Sequence, residues 1–192
     1  MPRVAPDGSN NAERQAALLG AAFRDLHGAR IHGFALLVTL GDQARAATIA
    51  GDALAAGADN AASLRHPERA AAWLRARVLV AARHRTLARR ADAWAQRRAA
   101  LRSLGVDAPT FSGLAALTVV ERAAIATLDI EHLDARDAEA VLGLSTGALE
   151  RVAARARRRY ANAWIAARGS DAPPGEGELA RQVRDAAHRA LS

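Results

Sequence analysis

Cysteine and lysine are both absent from the chain. The first absence excludes disulfides and thiolate metal sites and fits a reducing compartment. The second means that all 27 basic residues are arginine, against 20 acidic ones, for a net charge of +7. Aromatics make up 4% of the residues, with one Tyr, three Trp and three Phe, and β-branched residues are sparse. Strands favour those types, so extended sheet is nearly excluded. No apolar run approaches the ~18 residues a membrane span needs, and the polar Met1–Asn10 stretch shows no signal-peptide core. The composition therefore reads as a soluble, cytoplasmic chain.

Alanine is about a quarter of the 192 residues, and with Leu and Val it must build most of the core. Alanine is the best helix former, so the expected class is all-α. The arrangement expected is two small helical domains joined by a linker. Residues 1–11 read as a disordered lead and 12–100 as the first domain. Leu18, Leu19, Ala22, Phe23 and Leu26 recur at helical spacing over 12–26, and Ile31, Phe34, Ala35 and Val38 over 29–40. After Gly41-Asp42, a third helix carries Ile49, Ala50, Ala53 and Leu54 over about 43–56. A long helix is expected from Pro67, a first-turn proline, to about residue 90, burying Trp73, Leu74, Val78 and Ala81. Residues 101–113 are rich in turn formers and read as the linker.

The second domain is expected over 114–168. Thr118-Val-Val-Glu121 is a capping-box pattern, a hydroxyl answered by a carboxylate three residues on. Asp134 suits the cap of a short helix, Gly143 a left-handed end to it, and Ser145 the cap of a longer basic helix. Helix, tight turn and helix in that order is the helix-turn-helix pattern. Leu149, Val152, Ala153 and Ala156 would face inward. Thr146, Ala148, Glu150, Arg151 and Arg155 would face a major groove, and Arg157, Arg158 and Arg159 would suit phosphates. A plain helical hairpin with a wet basic face has the same pattern. Residues 169–192 read as a tail with one possible short helix.

The charge is clustered. Residues 64–98 carry +8 and residues 145–168 carry +5, while residues 99–144 between them carry −4. Two phosphate-contacting helices would produce this distribution. So would two solvated faces whose arginines pair with the acidic segment between them. No Gly-rich phosphate loop, catalytic constellation or metal-ligand spacing is present, and the six His are scattered. The expectation is a non-enzyme with no cofactor and no metal.

Leu117-Thr-Val-Val-Glu-Arg122, then Leu133, Leu142-Gly-Leu-Ser145 and Arg155-Ala-Arg-Arg-Arg159 resemble region four of the sigma-70 family, extracytoplasmic-function group. Arg30, Phe34-Ala-Leu36, Gly41-Asp42, Ile49, Asp52, Pro67-Glu-Arg69 and Trp73-Leu74 are similar to residues of its region two. The resemblance spans about residues 15–168. It implies a transcription initiation factor that binds promoter DNA and core RNA polymerase, with room for an anti-sigma partner. It assigns DNA contacts to Ser145, Thr146, Ala148, Glu150, Arg151, Arg155, Arg158 and Arg159 in the second domain. In the first it assigns them to Trp73, Arg75, Arg77, Arg83 and Arg85, and it assigns polymerase contact to Ile49 and Asp52. Thr48-Ile-Ala-Gly-Asp52 departs from the family's Asp-Leu-Val-Gln-Glu patch. A sigma-derived DNA-binding regulator, or a protein-interaction module, therefore stands as the alternative.

Overall fold

A computed structural model of the chain describes residues 8–60, 69–84, 91–103 and 105–168. Among them the protein is all-helical, as expected. The elements are α1 (Gly8–Val38), α2 (Gln43–Asn60), α3 (Ala70–Arg83), α4 (Ala91–Ser103), α5 (Ala108–Ala115), α6 (Val119–Ile125), α7 (Ala135–Leu142) and α8 (Thr146–Arg168). A π-helical turn, Ala126–Ile130, extends α6 and closes with the Glu131 N–H donating to the Ala126 carbonyl at 3.0 Å. No helix among the described residues is long and apolar enough to cross a membrane.

Two expected helices, 12–26 and 29–40, are one. α1 runs unbroken through Gly28 because Phe23, Ile31, Phe34, Ala35 and Val38 keep one buried face in register across it. An interior glycine costs a helix about 1 kcal/mol relative to alanine, which packing along α2 and α3 offsets. α1 also begins at Gly8, inside the stretch expected to be disordered; residues 1–7 lie outside the described residues. α2 buries Ala46, Ile49, Ala50, Ala53, Leu54 and Gly57 against α1. The expected helix from Pro67 is described only from Ala70 to Arg83, and 61–68 and 85–90 lie outside the described residues, as does the tail 169–192.

The stretch 101–113 does not behave as a linker. Leu101, Val106, Thr110, Phe111 and Gly113 are buried there, and Asp107 caps α5 by accepting the Thr110 N–H at 2.8 Å. α5 packs along α8, with Gly113 seated against the Tyr160 ring. Turn-forming residues signalled the ends of a short helix, not an open connection.

The buried side chains form one continuous cluster from Phe23 in α1 to Trp164 in α8. α7 packs on α3, and α6 on α1 and α3, so the expected halves share a core. Polar stitches cross the same boundary. The Arg122 Nε–H donates to the Val38 carbonyl at 3.0 Å, and an Arg83 Nη2–H donates to the Leu142 carbonyl at 3.0 Å.

Candidate nucleic-acid interface

α7, a tight turn and α8 form where Asp134 and Gly143 signal them. Asp134 caps α7 by accepting the Asp137 N–H at 2.7 Å. Gly143 ends α7 at φ 66° and ψ 39°, a left-handed conformation that costs a side-chain-bearing residue free energy. Leu144 then packs against the core, and the Ser145 carbonyl accepts the Leu149 N–H at 2.8 Å to open α8. The Thr146 hydroxyl donates to the Glu139 carboxylate at 2.5 Å, tying the two helices across the turn. Glu139 thus has a structural task at this turn.

α8 turns Leu149, Ala153, Ala156, Tyr160 and Trp164 inward, with Val152 half-buried. Ser145, Thr146, Glu150, Arg151, Arg155, Arg158 and Arg159 are exposed, and Ala148 is half-buried. The exposed Arg151, Arg155 and Arg158 line one edge of the helix at spacings of four and three. Arg151 and Arg158 form no ion pair with another described residue.

Three other arginines of α8 are tethered to the acidic stretch between the basic segments. Arg155 donates through Nε to one Glu121 oxygen at 2.9 Å, and Arg159 through Nη1 to the other at 2.8 Å. Arg159 also donates to the Ala116 carbonyl at 2.5 Å. Arg157 grips Asp129 with two bonds, at 2.6 and 3.2 Å. The tethered side chains of Arg155 and Arg159 stay 55% and 47% exposed, so the pairing anchors them without removing them from the surface.

Glu121 is the hub, only 1% exposed. It completes the expected capping box, accepting the Thr118 N–H at 2.9 Å while its own N–H donates to the Thr118 hydroxyl at 3.2 Å. Burial alone would raise its pKa. The Thr118 N–H, the Arg155 bond, the Thr118 hydroxyl and the Arg159 charge outweigh that and hold it below the ordinary value. Its neighbour Arg122 is equally buried and donates to the carbonyls of Val38, Leu117 and Leu114.

The candidate residues of α2 and α3 divide. Trp73 is half-buried with the Arg77 guanidinium 5.0 Å over its ring, and Arg77 is exposed. Arg75 is buried, bonded to Glu131 and to the Ala71 carbonyl, so in this structure it is not available to a phosphate. Its place in the α3 sequence faces the π-helical turn rather than solvent. Arg83 is exposed but spends a donor on the last turn of α7. Arg85 lies outside the described residues. Ile49 is a second correction. It falls in the Ala46–Ala53 apolar stripe and is core, whereas Asp52, three residues on, is exposed at the edge of that stripe.

Sequence reasoning singled out neither Glu121 nor Arg122 beyond their motif, and missed Asp129 and Glu131 as partners. The available signal was the −4 segment lying between two strongly positive ones. No protein-family model, curated protein or solved structure matches the chain.

Proposed function

We propose that the protein is a sigma-type transcription initiation factor whose helix-turn-helix lies on promoter DNA and whose α2 surface holds core RNA polymerase. The observation that carries this reading is the exposed edge of Arg151, Arg155 and Arg158 on the helix that follows the left-handed Gly143 turn. Arg151 suits a guanine edge, Glu150 a cytosine amino group, and Arg155, Arg158 and Arg159 the backbone phosphates. Arg75 and Ile49 leave the set of contacts, and Asp52 remains as the exposed charge of the 48–52 patch. The role is positioning and recognition, without chemistry performed by the chain itself.

Purified protein should co-migrate with core polymerase on a sizing column and direct transcription from specific promoters. Separate elution of the two at micromolar concentration refutes the reading. A second reading, a sigma-derived regulator that binds DNA without polymerase, is favoured by the burial of Ile49, one of the two residues that the resemblance assigns to polymerase contact. That reading requires duplex binding by the protein alone, weakening steeply as salt rises.

A further inference from the structure

We infer that Glu121 is a positioning residue for DNA binding, fixing Arg155 and Arg159 as a two-guanidinium clamp for one backbone phosphate. The inference rests on the duplex-binding reading of α8 and adds a group that touches no DNA. Glu121 itself cannot drift: it is buried, and the Thr118 N–H holds one of its oxygens. Each of its oxygens takes one arginine, and the two arginines stand one helical turn apart on α8. Arg155 spends only Nε on the carboxylate, so both of its terminal amino groups remain for an outside acceptor. Arg159 is held twice, by Glu121 and the Ala116 carbonyl. An arginine free in water loses its rotamer freedom when it docks; these two have lost it already. Two guanidiniums on one carboxylate leave one uncompensated positive charge, which a phosphodiester balances.

Field and positioning predict opposite signs for one substitution. Glu121→Gln removes a negative charge near the interface, which by field alone tightens DNA binding. If Glu121 positions the clamp, binding weakens instead. The test is fluorescence anisotropy of the full chain on a mixed-sequence duplex across a salt series, with a thermal melt of each variant. Glu121→Gln should weaken binding by roughly tenfold, and that loss should vanish in an Arg155→Gln, Arg159→Gln background, because coupled groups are not additive. Arg155→Lys keeps the charge and sits on an exposed side chain, yet should also weaken binding several-fold because the fork is lost. Equal or tighter binding by folded Glu121→Gln overturns the inference and leaves the proposed function standing. If Glu121→Gln does not fold, wild-type affinity in Arg155→Lys overturns it. A wild-type chain that leaves the duplex free even at low salt also overturns it, while the polymerase column assay judges the wider reading separately.

Discussion

Truncating Arg122 should be among the most damaging single changes in this protein. Its side chain is 1% exposed and joins α6 to the last carbonyl of α1, Val38, at 3.0 Å, and to the Leu117 carbonyl at 2.6 Å. Burial, the nearby Arg97 charge and, in opposition, Glu121 bring its pKa down to about 10, so it remains a cation at neutral pH. Arg122→Ala strands two buried acceptors, at about 1–3 kcal/mol each. The space left by a large side chain adds about 2–5 kcal/mol. Relief from burying a cation returns part of this, since buried charge is itself costly. A net loss of roughly 4 kcal/mol or more is expected, against a total stability of about 5–15 kcal/mol for a typical fold. For a chain of this size, that lowers Tm by roughly 8–16 °C. Arg122→Met keeps the volume and sheds the charge but still strands the carbonyls, so it should cost about 1–3 kcal/mol. Thermal melts followed by circular dichroism measure both. An Arg122→Ala variant melting within 2 °C of wild type, a tolerance of about 1 kcal/mol, would refute the stitching role.

Acid should expose the Glu121 hub. Its folded pKa lies below its unfolded one, so the stabilisation is complete above about pH 4.5 and is lost as pH falls through the depressed value. Glu121→Gln should flatten that limb of a urea-midpoint-against-pH curve, and an unchanged limb would count against the hub. His27 works in the same direction at milder pH. Burial and the charges of Arg75 and Arg30 lower its pKa from 6.5, so the unfolded chain binds its proton first and stability falls as pH drops below 6.5. His27→Gln should remove that slope below pH 6.5, where a persisting slope would assign it to another group. Two glycines should rank by geometry rather than exposure. An added Cβ at Gly113 meets the Tyr160 ring at 2.7 Å, so Gly113→Ala should cost about 1–3 kcal/mol. Gly143→Ala meets nothing within 4 Å and should cost only the left-handed backbone penalty of about 1 kcal/mol; denaturant midpoints in the reverse order would sink this argument.

The acidic stretch links the stability of the fold to the charge of the α8 surface. Glu121, Asp129 and Glu131 all lie within residues 99–144, and each takes one or more arginines from the two basic segments. The pairing open at sequence level is therefore partly realised. It removes Arg75 from the surface and reduces the free charge on α8 without eliminating it. Arg151 and Arg158 form no ion pair among the described residues. A surface that is half neutralised from within favours geometry-dependent contact over a diffuse cationic field.

Local chemistry was sufficient wherever a few neighbouring residues decide the backbone. Alanine abundance and helical periodicity determined the all-α class, Thr118 with Glu121 the start of α6, Asp134 the start of α7, and Gly143 the turn. The inward face of α8 was equally legible, because a 3.6-residue period reports burial without knowing what buries it. Tertiary structure alone decided which arginine meets which acid. The Arg75–Glu131 bond spans 56 positions, and the Arg155–Glu121 bond spans 34. Charge acts through space, and sequence periodicity says nothing of which helices become neighbours. The same reason explains Ile49 and the 101–113 stretch. Whether an apolar residue meets a partner protein or its own core, and whether a turn-rich segment hangs free or packs, depends on surfaces that exist only once α1, α3, α5 and α8 have come together.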